Sequence, residues 1–272
     1  MERTNWGIGL PAASSCEAFD PLAMARNRRD TVNRTPGTLT GYDCPDCLNR
    51  GYSAHIREDG SLYTVGCKCV SIRRCKRQME ASGLKNALDR MQFANFTVAE
   101  EWQRRILAGA KDFAENPTGW ILFAGQPGAG KTHLLVAVCS ARLNVGDEVR
   151  YASWRDTVAD LKSAALDSEK RSKTLAALKC AQVLFIDDFF KGRSADGNNR
   201  PTPADVNLAF ELLNHRYVNQ LVTMISTELE PEDLLAIDEA LGSRIIEMAK
   251  PHTFVIARHP KRNYRLRGMV SD

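Results

Sequence analysis

WILFAGQPGAGKTHLLVAV, residues 120–138, decides how this chain is read. An apolar run of strand length, Trp120 to Ala124, leads into a glycine-rich turn. A helical stretch from His133 to Leu143 follows, with apolar residues at 134, 135, 138 and 139. Inside it stands G-x-x-x-x-G-K-T, with Gly125, Gly130, Lys131 and Thr132 in the fixed positions and Gln126, Pro127, Gly128 and Ala129 between them. Spacing and strand-to-helix context together are those of a phosphate-binding loop, the P-loop. Its glycines let successive backbone N–H groups face phosphate oxygens, and the N-terminus of the next helix adds partial positive charge. Lys131 is expected to bridge β- and γ-phosphates, Thr132 to offer its hydroxyl to Mg²⁺, and His133 to flank the site.

From residue 120 onward strands and helices alternate, which predicts an α/β fold with a parallel sheet between helices. A second strand is expected at 148–153, before a helix through DTVADLKSAAL. The third, AQVLFIDDFF at 181–190, carries four apolar residues, Val183 to Ile186, and then Asp187 and Asp188 at the carboxyl end of a buried strand. Asp187 suits a Walker B carboxylate holding Mg²⁺ directly or through its bound water, and Asp188 a base or positioning group for an attacking water. LVTMIST at 221–227 makes a fourth strand tipped by Ser226, Thr227 and Glu228, while 191–205 reads as a polar connecting loop. Ahead of the P-loop, Thr97-x-x-Glu100 predicts a capping box for a helix that places Trp102, Ile106, Ala110 and Phe113 on or near one face.

The remaining signal lies in the cysteines. Of 272 residues, 43% are hydrophobic and 26% charged, and no apolar run approaches the ~20 residues needed to cross a bilayer, so a cytoplasmic protein is expected. Eight cysteines in that setting argue for metal over disulfides. YDCPDCLNRGY and VGCKCVSIRRC supply Cys44, Cys47, Cys67 and Cys69, two close pairs able to hold Zn²⁺ tetrahedrally. Cys75, at the start of a helical stretch, reads as a packing residue with replacement of Cys69 as the alternative; His55 is a spare donor, and Cys16, Cys139 and Cys180 stand alone. Four thiolates leave no open position for substrate, so this zinc would fold a module rather than do chemistry. The net charge of +4 permits a nucleic-acid partner without demanding one; IRRCKR at 72–77 and ARHPKRNYRLR at 257–267 are the basic clusters, with solvated surface as their plainer reading. The expected organisation is a flexible extension over 1–40, a zinc module and basic helical connector over 41–92, and a nucleotide-binding domain over 93–272.

GQPGAGKTH, VLFIDD and ISTELEPEDLLAIDEALGSRIIEM together resemble the AAA+ ATPases, and within them the helicase loaders of the DnaC and DnaI type, with the transposition helper IstB close by. The likeness covers about 42–267. It implies an AAA+ core that binds ATP and Mg²⁺ through Lys131, Thr132, Asp187 and Asp188, hydrolyses ATP, and assembles into a ring or spiral. Its partners would be a hexameric replicative helicase and single-stranded DNA. Arg244, in GSRI, resembles the arginine that a neighbouring subunit directs at the γ-phosphate, and Arg265, in NYRLR, the sensor arginine near the C-terminus. Two departures stand out: Glu228 occupies a tip where many relatives have asparagine, and Met248 a position where some place the finger arginine. The alternatives are an IstB-like ATPase acting on duplex DNA with a transposase, a P-loop small-molecule kinase, and a zinc-bearing DNA binder that senses ATP.

Overall fold

The computed structural model describes residues 20–164, 166–191 and 201–266. Cys16 and the rest of residues 1–19 of the expected N-terminal extension, residues 192–200 of the polar loop and Arg267 lie outside the described residues. The chain divides into two compact units, one of residues 1–38 with 45–67, the other of 39–44 with 68–272.

In the smaller unit, α1 (Pro21–Arg34) precedes an antiparallel hairpin of β1 (Tyr52–Ile56) and β2 (Leu62–Gly66). Helix α1 falls within residues 1–40, a stretch with no sustained apolar periodicity. Asp20 caps it by accepting from Leu22 N at 2.9 Å, Pro21 opens it, and Asn33 near its end exchanges two 2.9 Å hydrogen bonds with the backbone of Ala54 in β1. Capping and one tertiary contact do what periodicity does in longer helices.

The larger unit is built on a five-stranded parallel sheet, as the alternating pattern predicted. Its strands are β3 (Trp120–Gly125), β4 (Val149–Ser153), β5 (Val183–Phe189), β6 (Val222–Thr227) and β7 (Thr253–Ile256), in the order β4-β5-β6-β3-β7. The β7 strand is additional to the four read from sequence. It has only four residues, too short a run for its alternation to stand out even though Pro251 separates it from the preceding helix.

Strand β3 is wholly buried, and its side chains alternate between two cores. Ile121 and Phe123 join the core under α2 (Cys69–Ala81), α3 (Ala87–Arg90), α4 (Glu101–Glu115) and α5 (Lys131–Val145). Trp120, Leu122 and Ala124 join that under α6 (Trp154–Ser163), α7 (Ser168–Lys179), α8 (Pro203–Val218), α9 (Pro231–Ile237) and α10 (Glu239–Ala249). Helix α5 buries six consecutive residues, Leu134 to Cys139, because the sheet covers one side and other helices the rest.

Two local readings change, and the packing role of Cys75 holds. Helix α4 begins at Glu101, and its capping box is Glu100 with Gln103, not Thr97 with Glu100; Gln103 Oε1 accepts from Glu100 N at 2.9 Å. The basic stretch at 72–77 is not simply solvated. Arg73 is buried and donates to the carbonyls of Leu39, Thr40 and Tyr42, while Arg74 pairs with Glu148 and Lys76 with Asp89. Cys75 lies fully buried in the core, where burial pushes its thiol up to about 12, so it packs rather than ligates. Arg216 of α8 is fully buried too: it donates to the carbonyls of Leu178 and Lys179 at the end of α7, to those of Ala181 and Val222, and to Thr223 Oγ1. It thereby satisfies helix-end carbonyls that have no partner within α7.

Candidate functional site

The P-loop runs from the end of β3 to the start of α5 and forms one wall of a cleft of about 590 Å³. Gly130 adopts φ 91°, a left-handed conformation, and a Cβ there would lie 2.7 Å from the Phe96 ring. At Gly128, φ is 72° and a Cβ would meet Asn263 Oδ1 at 2.0 Å. The positive φ favours glycine at both positions, and a side chain at either would have to displace Phe96 or Asn263. Tyr264 N donates to Gly128 O at 3.0 Å, which ties the C-terminal segment to the loop and brings Arg262, Tyr264 and Arg265 to the cleft. Arg265 thus lines the same cavity as Lys131.

Lys131 is almost fully buried, and its ammonium donates to Gly125 O and Gln126 O, both at 2.7 Å. Burial lowers its pKa to about 8; the carboxylates of Glu228, Asp188 and Asp187 oppose the fall and the charge of Lys191 adds to it. Thr132 Oγ1 donates to Asp187 Oδ1 at 2.8 Å, so the hydroxyl at the start of α5 and the carboxylate near the end of β5 meet. Ser226 Oγ also donates to Asp187, and Tyr151 Oη does so at 3.2 Å. Burial raises the Asp187 pKa, and these hydroxyl bonds work against that rise. A buried carboxylate beside a threonine hydroxyl is a hard oxygen donor pair that fits Mg²⁺.

Asp188 is placed differently. The pairing of β5 with β6 slips between Ile186 and Phe189, and Asp188 takes φ 52° and Phe190 φ 57°. Such a bulge re-aims the side chain at its centre. A left-handed phenylalanine costs about 1–3 kcal/mol. Burying its ring recovers a similar amount, about 1.5–3 kcal/mol; Phe190 stacks on Phe189 with centroids 4.0 Å apart and meets Trp154 edge-on at 5.5 Å. Asp188 consequently faces the cleft while Asp187 stays in the wall.

Arg244 does not line the cleft of its own chain; its guanidinium lies over the rings of Phe210 and Tyr217, at 5.2 and 5.4 Å, and donates to Ala240 O at 2.5 Å. His133 lines the cleft but donates through Nε2 to Gln92 O at 2.9 Å. Several lining residues are not legible from the sequence: Met91 and Phe96 ahead of α4, Trp102 in its first turn, and Lys191 beyond β5. None lies in a motif, although Trp102 was read as a core residue of its helix.

The thiols of Cys44, Cys47, Cys67 and Cys69 lie within 4.8 Å of one another, and among the described residues this is the group of ligating side chains able to hold a metal. Gly51 N donates to Cys47 Sγ at 3.2 Å, a bond that favours thiolate. His55 instead bonds Ser53 and packs beside Tyr63. Among the described residues no helix is long and apolar enough to cross a membrane.

Residues 68–268 match the IstB-like ATP binding protein family. The chain belongs to that family. Within it the architecture is that of an AAA+ protein of the DnaC type, as the motif resemblance implied. The phage-like element PBSX protein XkdC of Bacillus subtilis (strain 168) is 31% identical over 259 residues, which are 90% of this chain and 95% of that protein. Replicative helicase loader DnaC of Escherichia coli (strain K12) is 32% identical over 123 residues, spanning 42% of this chain and 49% of the loader. A crystal structure of the DnaC helicase loader superposes with a TM-score of 0.54 at 25% identity, over 63% of this chain and 99% of that one. This IstB-like protein therefore carries an ATP-binding core with its P-loop, Thr132 and Asp187 in contact.

Proposed function

We propose that this protein is an ATP-dependent replication factor that binds a hexameric replicative helicase and helps place it on single-stranded DNA. The observation that carries the reading is the cleft itself: a P-loop, the Thr132–Asp187 pair and a re-aimed Asp188, in a core similar to helicase loader DnaC. Lys131 would hold the β- and γ-phosphates, with the remaining P-loop N–H groups from Gly125 to Thr132 around them. Mg²⁺, held by Thr132 and Asp187, would neutralise charge on the transferred phosphoryl group. Asp188 takes the proton of an attacking water. Arg265 contacts the phosphates from within the chain and Arg244 reaches the site of a neighbouring copy, so head-to-tail assembly into a ring or spiral completes each site. Met91, Phe96 and Trp102 give the cleft apolar surface of the kind a base needs.

The cysteine group would bind Zn²⁺ and fold the segment that grips the helicase. Cys44→Ser is expected to lower zinc content from about one ion per chain to well below that and to lower the midpoint of thermal unfolding, with ATP affinity within about twofold of wild type. Metal analysis of the purified chain checks this, and a wild type without zinc ends the reading.

The IstB-like family match favours a second reading, an ATPase that acts with a transposase on duplex DNA. Size and mass analysis of the full chain with its host's replicative helicase, in ATP·Mg²⁺, in ADP and without nucleotide, separates the two. The loader reading expects a stable complex with the hexamer that depends on nucleotide. Absence of a complex in every state, with nucleotide-dependent binding to duplex DNA, establishes the second.

A further inference from the structure

Lys191 is a cation of the cleft that no motif predicts. Its Nζ lies 2.8 Å from Glu228 Oε1 and 3.2 Å from Asp188 Oδ2, and all three residues line the cavity that also holds Lys131 and Thr132. The position is built rather than incidental. Lys191 N donates to Asp188 O at 2.9 Å, which closes a tight turn over Phe189 and Phe190, and both rings are buried against Trp154. The turn is thus anchored in the core under α6 and α8, and the lysine leaves it toward the phosphate loop.

Glu228 gives this placement meaning. It follows the end of β6, beside the phosphate end of the cleft, yet an ionised carboxylate offers only acceptors and cannot bond a phosphate oxygen. Alone it would repel one. Paired with Lys191 it becomes the anchor for an ammonium with three donors, enough to hold Glu228 and still reach a terminal phosphate. The same ammonium now also touches Asp188, the carboxylate that must be available to an attacking water. A terminal phosphate that took over this donor would leave Asp188 free.

We infer that Lys191, held by Glu228, is the residue that distinguishes a nucleoside triphosphate from a diphosphate and releases Asp188 only when the terminal phosphate is present. This rests on the ATPase reading of the cleft. A diphosphate ends short of the lysine, so Lys191 stays on Asp188.

The test is nucleotide titration of the full chain with Mg²⁺, using ADP and a non-hydrolysable ATP analogue, for wild type, Lys191→Met, Lys191→Arg and Glu228→Gln. Lys191→Met should weaken the triphosphate analogue about tenfold or more, the weight of one charge-assisted hydrogen bond, and leave ADP within about twofold. Lys191→Arg should keep most of the preference. Glu228→Gln should reduce it by less than Lys191→Met does, since the lysine remains but loses its ionic anchor. ADP binding also reports that each variant is folded. Equal weakening of both nucleotides by Lys191→Met, no weakening of either, or a wild type that binds both without preference overturns the inference while leaving an ATP site in place. A wild type that binds neither nucleotide overturns the ATPase reading itself, and this inference with it.

Discussion

Lys131→Ala is expected to lower ATP affinity by about 100-fold or more without loosening the fold. The ammonium would make two or more charge-assisted bonds to phosphate, each worth about 1.5–3 kcal/mol. At about 1.4 kcal/mol per factor of ten, even the lower figure for two such bonds exceeds about a hundredfold. Stability should hold because burial works against this charge, as its pKa near 8 records, and its local partners are only the carbonyls of Gly125 and Gln126. Removing a buried cation that has no carboxylate in direct contact is far less damaging than stranding one. Calorimetric titration with ATP·Mg²⁺, beside a thermal melt, checks both halves. Nucleotide affinity equal to wild type would remove the P-loop from nucleotide binding.

Asp188→Asn should retain ATP and slow its hydrolysis by about 100-fold or more, the usual weight of a positioned general base. The substitution is well suited to the site because asparagine tolerates the left-handed backbone that Asp188 adopts at φ 52°. The 2.9 Å bond from its backbone N–H to Ser226 Oγ does not depend on the side chain, and Lys191 keeps Glu228. Shape and backbone are preserved while the proton acceptor is lost. Single-turnover hydrolysis of prebound ATP measures the step without contribution from product release. A normal rate would take Asp188 out of the chemistry and turn attention to Glu228, the other carboxylate facing the cleft.

Much of this site is legible before any coordinates because its parts are local. The P-loop needs its glycines, lysine and threonine within eight consecutive residues, and the Walker B aspartates must follow a buried strand directly. Spacing therefore carries the chemistry, and the Thr132–Asp187 contact follows once the two strands share a sheet. The paired cysteines are legible for the same reason. Helix ends and short elements are less so. Glu100 and Gln103 form the capping box although Thr97 and Glu100 match the pattern equally well, because the tertiary structure sets where α4 starts. Helix α1 buries only Ala25, so no apolar stripe announces it.

By itself the sequence determined the α/β class, the phosphate loop, the acidic strand end and the thiol group, since each is a rule about neighbours along the chain. The tertiary structure alone decided that β7 lies beside β3, that Arg73 and Arg216 serve backbone carbonyls rather than solvent, and that Met91, Phe96 and Trp102 wall the cleft. It also decided that Lys191 meets Glu228 across the ends of two strands. These are contacts between residues distant in sequence. They depend on which strands lie side by side and where a bulge turns a side chain, and both are settled by packing the two cores of the sheet together, which no local pattern encodes.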